Sequence, residues 1–309
     1  EYNPMVDDAW LLMGKAHATK HENLEAINTL EFLNREYEGA PSRYESMLWL
    51  SKSYIDMEQY TNAQAALESY DLDGNAPDKL YGSYMAAYAN LLITQGKYAE
   101  ALPYMENAAR NTSKRWMRFR YNYILAQLYQ MLDKHDEAAK TYRLVAKNNP
   151  DYEMSFNARI NMAGVVKGSS NAAETEKALN KLMRDKKNSD YLDQIYYALG
   201  NLKNNQGEQQ KAISNYRLSI DKSSMNDRQK GLSFLAMGNI YYSKPLYIEA
   251  FESYDSAVVL LSDRHPEFDE VTLRHHNLEK LSVQLRKIRQ EDSLLFLAQL
   301  PESERMDRI

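Results

Sequence analysis

One spacing, repeated along the chain, limits the folds open to it. A small residue is followed twelve positions later by alanine, and four positions after that by an aromatic, Leu or Met. Gly14, Ala26 and Leu30 give the first instance, and Ser51, Ala63 and Leu67 the second. Ala89, Ala101 and Met105 continue it, followed by Ala126, Ala138 and Tyr142. Gly200, Ala212 and Tyr216, then Gly238, Ala250 and Tyr254, carry it through the second half. The spacing predicts antiparallel helix pairs. A small mid-helix residue lets two helices approach closely, alanine does the same on the second helix, and the larger residue fills the gap to the next pair. Only 11 Gly and 8 Pro in 309 residues, against 24 Tyr, suit packed helices better than a sandwich or a doubly wound sheet.

The pattern resembles the tetratricopeptide repeat (TPR), whose larger residue earlier in the first helix is matched at Trp10, Met47, Met85, Tyr196 and Phe234. Units are expected to begin near residues 7, 44, 82, 119, 156, 193 and 231, at intervals of 37 or 38. The TPR norm is about 34, so slightly longer turns or helices are expected. Turn signals fall at Glu38-Gly39-Ala40-Pro41, Asp73-Gly74-Asn75-Ala76-Pro77 and Asn148-Asn149-Pro150-Asp151. The fifth unit departs from the rule. Ala163 fits its first helix, but the next alanine is Ala178, three residues late, after Gly168-Ser169-Ser170-Asn171. This predicts an insertion in the turn between its helices.

From Phe268 the pattern changes to Leu278, Leu281, Leu285 and Ile288, the stripe of a long amphipathic helix. Asp292 interrupts the stripe before Leu295, and Pro301 opens a short polar tail ending at Ile309. Such a helix either caps the last pair, as an open array requires, or offers a seam to a partner helix. The expected architecture is an all-α, right-handed TPR-like superhelical solenoid of about seven helix pairs over residues 1–267, with a capping helix and tail over 268–309.

Several kinds of chemistry are excluded. With no Cys, disulfides, thiolate metal sites and cysteine nucleophiles are ruled out together. No apolar run approaches the ~20 residues of a membrane span. Neither G-x-G-x-x-G nor G-x4-G-K-[ST] occurs. His17 and His21 form H-x-x-x-H, which on a helix would aim both rings the same way, but residue 18 is Ala, so the Glu of a zinc protease is missing. His275 and His276 are adjacent and face different sides of a helix. Asp7 and Asp8 suit the positive end of a helix dipole. No enzyme activity, metal or cofactor is expected.

Charge is unevenly spread. Residues 1–110 hold 8 basic and 17 acidic side chains, residues 111–150 hold 8 and 3, residues 151–230 hold 13 and 10, and the remainder 9 and 13. The net charge of −5 argues against nucleic acid as a partner. The sharpest feature is Lys114, Arg115, Trp116, Met117, Arg118, Phe119 and Arg120, a basic run interleaved with aromatics. Either this run docks an acidic or phosphate-bearing partner, or Phe119 is core and the cations are a solvated helix start.

In the TPR family the second, fifth, ninth and twelfth positions of each first helix line a concave face. Those positions here include Asn90, Arg120, Tyr123, Gln127, Gln130, Asn157, Gln194, Tyr197, Asn201, Asn204, Asn239 and Tyr242. Amides that donate and accept suit the backbone of an extended segment, and Tyr adds amphipathic contact area. Chaperone-binding TPRs clamp a terminal carboxylate with Lys at the fifth position, and no unit here has one.

Four stretches carry a closer resemblance: YNPMVDDAWLLMGKA (2–16), SFNARINMA (155–163), DYLDQIYYALGN (190–201) and QEDSLLFLAQLPESER (290–305). Together, in register from end to end, they resemble the TPR lipoproteins of the Bacteroidetes type IX secretion and gliding-motility machinery, the SprE/PorW type. The resemblance implies a non-enzymatic adaptor that binds other secretion or motility components, ring or translocon, through its groove and charged faces. It also implies a periplasmic, outer-membrane-associated protein whose only membrane contact is an N-terminal lipid. EYNPMVDDAW is neither a signal peptide nor a lipobox, so that anchor is expected upstream of Glu1. The alternative is a general TPR peptide-binding module such as a co-chaperone.

Overall fold

The structure is a computed structural model that describes residues 5–71, 74–148, 151–167, 169–301 and 304. Asp73, Asn149, Pro150 and Gly168 of the turn signals lie outside the described residues, as do Tyr2 to Pro4 and most of the polar tail. As the spacing predicts, the described chain is all-α. It forms two compact units, residues 1–165 and 166–309.

Among the described residues, the first unit holds nine helices: α1 (Val6–Thr19), α2 (Asn23–Glu36), α3 (Ser42–Asp56), α4 (Tyr60–Asp71), α5 (Asp78–Thr94), α6 (Tyr98–Asn111), α7 (Arg115–Met131), α8 (His135–Asn148) and α9 (Tyr152–Val165). The second holds α10 (Ser169–Arg184), a 3-10 segment (Lys186–Tyr191), α11 (Leu192–Asn205), α12 (Gln209–Lys222), α13 (Asp227–Ser243), α14 (Tyr247–Leu260) and α15 (Phe268–Gln299).

The residues of the repeat spacing are the core. Ala26, Leu30, Ala63, Leu67, Ala101, Met105, Ala138 and Tyr142 are buried in the first unit, and Ala212, Tyr216, Ala250 and Tyr254 in the second. The reason is steric. A Cβ built on Gly200 would stand 2.6 Å from Tyr216 Cδ1, so only glycine lets that ring lie flat on the first helix.

Five of the described helix pairs share one turn. Three residues separate the helices, and the middle one takes a left-handed backbone at His21, Glu58, Gly96, Asp133 and Gly207 (φ between 55° and 75°). The next amide then reaches back five residues, as in Glu22 N to His17 O (3.0 Å), Gln59 N to Tyr54 O (2.8 Å) and Glu208 N to Lys203 O (2.9 Å). This is the Schellman closure, which satisfies carbonyls left open at a helix end.

The expected insertion in the fifth unit is not found. Only residues 166–168 separate α9 from α10, the same length as the other turns. Ala178 is half-buried, while Thr175 and Leu179 are buried, at the +12 and +16 positions counted from Ala163. Thr175 replaces alanine at no polar cost, because its hydroxyl donates to Asn171 O on its own helix (2.8 Å). The link from α10 to α11 is the 3-10 segment Lys186–Tyr191. Asp292 likewise does not break α15, which continues to Gln299.

Candidate functional site

In the first unit, the first helices α1, α3, α5 and α7 border a groove of about 460 Å³. Leu48, Ile55, Leu80, Ile93, Met105 and Ile124 give it an apolar lining. Trp49, in the middle of α3, lies near two ammonium groups, with Lys15 Nζ 5.7 Å and Lys52 Nζ 5.4 Å from its ring centre. Lys15 is held by Glu45 (2.6 Å) and Lys52 approaches Asp56 (3.7 Å). Lys114 and Arg120 also line the groove, and among the described residues neither has an ion-pair partner. Trp116, on the same lining, is 63% exposed. The result is an apolar trough with an indole at its mouth and two free cations beside it. Such a surface can desolvate apolar side chains while pairing carboxylates.

The basic run therefore divides. Phe119 is buried, as in the solvated-helix reading, with the Arg115 guanidinium 5.6 Å from its ring centre. Arg118 turns back, and its Nη2 donates to Thr112 O (2.9 Å), just past the C-terminus of α6. A cation at the N-terminus of α7 opposes that helix's dipole, but it is favoured at the carbonyl end of α6. Lys114 and Arg120 are the two that face the groove.

The amides expected on the concave face divide too. Asn90 is exposed on the groove lining, and Gln127 (exposed) and Asn157 (half-buried) make no side-chain hydrogen bond among the described residues. Tyr123 is half-buried, and its hydroxyl accepts from Asn161 Nδ2 (2.8 Å). Burial pushes its pKa up. In the second unit, Asn201 Oδ1 accepts from the Tyr216 hydroxyl and Asn239 Oδ1 from the Tyr254 hydroxyl, both at 2.8 Å. Arg274 also donates to Asn239 Oδ1 (3.0 Å) and lies 4.9 Å from the ring centre of Tyr242. The Tyr197 ring is 5.7 Å from that of Tyr216. Asn201 and Asn239 thus spend their carbonyls on the core tyrosines.

His17 and His21 do not share a helix face: α1 ends at Thr19, His21 sits in the left-handed turn, and His17 Nδ1 pairs with Glu22 (2.6 Å). His275 stacks on Phe251 (4.9 Å) and bonds Asp255 (3.0 Å). No cluster of three or more metal-binding side chains occurs among the described residues, and no helix among them is long and apolar enough to cross a membrane.

Sequence reasoning did not single out Lys15, Trp49 and Lys52. The usable signal was Glu45, Trp49 and Lys52, spaced four and three apart on one face of α3.

Two segments match family models described as tetratricopeptide repeat, residues 122–152 and 193–221. The first covers most of α7 and all of α8, and the second falls on the α11–α12 pair. The chain contains tetratricopeptide repeats. Solved TPR structures share the fold. A tetratricopeptide repeat protein from Parabacteroides merdae aligns with a TM-score of 0.59 at 13% identity, covering 88% of this chain and 98% of that one. The apo form of the quorum sensor NprR from B. thuringiensis aligns at 0.57 and 14%, covering 90% and 81%. The C-terminal part of a TPR repeat-containing protein from Cytophaga hutchinsonii aligns at 0.54 and 11%, covering 84% and 98%. At these identities the likeness is one of fold. No curated protein matches the chain by sequence.

Proposed function

We propose that this chain is a non-catalytic protein-interaction module whose first-unit groove takes an extended segment rich in acidic and apolar side chains. The observation that carries the reading is the placement of Lys114 and Arg120, without ion-pair partners among the described residues, beside exposed Trp116 on an apolar lining. A ligand supplying carboxylates and an aromatic or aliphatic side chain satisfies both features at once. NprR in complex with its cognate peptide NprX aligns with this chain at a TM-score of 0.52 and 14% identity, which supports peptide capture as a use of such a fold.

The finer reading is an adaptor of the type IX secretion and gliding-motility apparatus, in the periplasm at the outer membrane, holding ring or translocon components. The four stretches at 2–16, 155–163, 190–201 and 290–305 support it. The last is the most specific, because packing alone does not require a D-S-L-L-x-L-A-x-L-P-E-x-E-R sequence after a terminal helix. Affinity capture from detergent-solubilised envelopes of the native organism, read by mass spectrometry, tests this. Enrichment of secretion-ring or translocon components is expected, and recovery of soluble chaperones alone would contradict it.

A further inference from the structure

The last turns of α15 run past the helix they pair with. α15 lies antiparallel to α14: His275 stacks on Phe251, Arg286 Nη2 donates to Glu252 (3.1 Å), and Arg289 Nη2 donates to Glu249 (3.2 Å). Glu249 stands in the first turn of α14. Residues 290–299 therefore overhang its start by about 15 Å at the helical rise of ~1.5 Å per residue. Leu294, Leu295 and Phe296 on this overhang are 58%, 60% and 52% exposed. Below it opens a cleft of about 840 Å³, walled by Leu246, Ile288, Phe296 and Leu297.

Two carboxylates, Glu249 and Asp292, and the Arg289 guanidinium line the same cleft. Glu249 is already engaged: its Oε1 accepts from Arg289, and its Oε2 is buried, with no hydrogen-bond partner among the described residues. Asp292 has no ion pair among the described residues. Asp292 is the exposed carboxylate of the lining, and a cation brought by a partner would pair with it beside the apolar walls. Apolar walls with an acceptor among them suit an amphipathic helix that carries one cation in its apolar face.

We propose that this cleft docks an amphipathic helix of another protein bearing a Lys or Arg among its leucine-like side chains. An anionic lipid surface fits worse at the cleft itself, since Asp292 would repel its headgroups and the Arg289 cation is taken by Glu249. The site lies wholly within the second unit and does not depend on the first-unit groove.

The test uses the full chain, isotope-labelled for NMR, with a synthetic Leu/Lys amphipathic peptide of about five helical turns, its Leu/Glu counterpart, and phosphatidylglycerol vesicles. The Leu/Lys peptide should shift amide signals of residues 246–249 and 288–297, and the Leu/Glu peptide should bind about tenfold more weakly. Asp292→Asn should weaken the Leu/Lys peptide by about the same factor. Phe296→Ser, at an exposed position, should lower binding without loss of helicity. Equal binding of the two peptides, shifts confined to other residues, or a response to vesicles but to neither peptide would overturn the proposal.

Discussion

The ring of Tyr254 lies on the backbone of Gly238 so closely that a Cβ there would stand 2.5 Å from Cε1. The Tyr254 hydroxyl then reaches Asn239 on the next residue (2.8 Å). Tyr216, Gly200 and Asn201 repeat the arrangement one pair earlier. Glycine, amide and tyrosine thus act as a single joint between the two helices of a pair.

Replacing the glycine should break that joint. Gly238→Ala gains helix propensity but overpacks a fully buried ring, with a net cost of about 1–3 kcal/mol. Gly164→Ala is the control: its Cβ would meet nothing within 4 Å, so it should stabilise by about 0.5–1 kcal/mol. Midpoints of urea unfolding for the two variants should move in opposite directions.

Turn strain gives a second test. Glu58 holds φ 60° in the middle of the α3–α4 turn, a conformation that penalises any side chain with a Cβ. Glu58→Gly should raise stability by about 1 kcal/mol. Unchanged or lowered stability would mean that the side chain earns its place in some other way.

Alkaline pH should destabilise the protein. Burial raises the pKa values of Tyr54, Tyr88, Tyr123, Tyr129, Tyr142, Tyr197 and Tyr216 above the ordinary 10.0, and the neighbouring Glu31 and Glu106 raise Tyr54 and Tyr129 further. Groups whose folded pKa is raised contribute stability in full below the unfolded value, and it is lost as pH rises toward the folded value. Unfolding free energy should therefore be independent of these tyrosines at pH 7–9 and fall steeply above pH 10. A flat profile to pH 11 would contradict the burial.

Asp193 fastens the start of α11 to the turn before α13. It is 3% exposed, with Oδ2 accepting from Asn226 Nδ2 (2.9 Å) and Ser223 Oγ (3.4 Å). Asp193→Ala leaves Asn226 Nδ2 without its acceptor, while Ser223 keeps Ser219 O (2.9 Å), and should cost about 2 kcal/mol in thermal or denaturant unfolding.

Much of the helix pairing was legible because each register position has one steric meaning. Small residues at 14, 200 and 238 have to face Leu30, Tyr216 and Tyr254. The fifth unit hid its register because the buried residue at the +12 position is Thr175, whose hydroxyl bonds its own helix, which makes Ala178 a false landmark. The turns within pairs were illegible for a related reason. The backbone demands a left-handed residue, yet His21, Glu58 and Asp133 fill it where glycine would have announced it. In the candidate site, the basic run pointed to Lys114 and Arg120, but its sequence could not separate them from Arg118, which an α6 carbonyl claims. Asn201 and Asn239 carried the right chemistry for a groove, and only their tyrosine partners reveal a packing role.

The most direct test of the groove is selection of peptides from a random display library on the immobilised chain, followed by affinity measurement. Enriched sequences should combine Asp or Glu with aromatic or aliphatic residues. Lys114→Glu with Arg120→Glu should weaken the selected peptide by more than about tenfold at low salt, and by less as salt rises. Enrichment of basic sequences, or equal affinity for the wild-type and doubly reversed chains, would contradict the account.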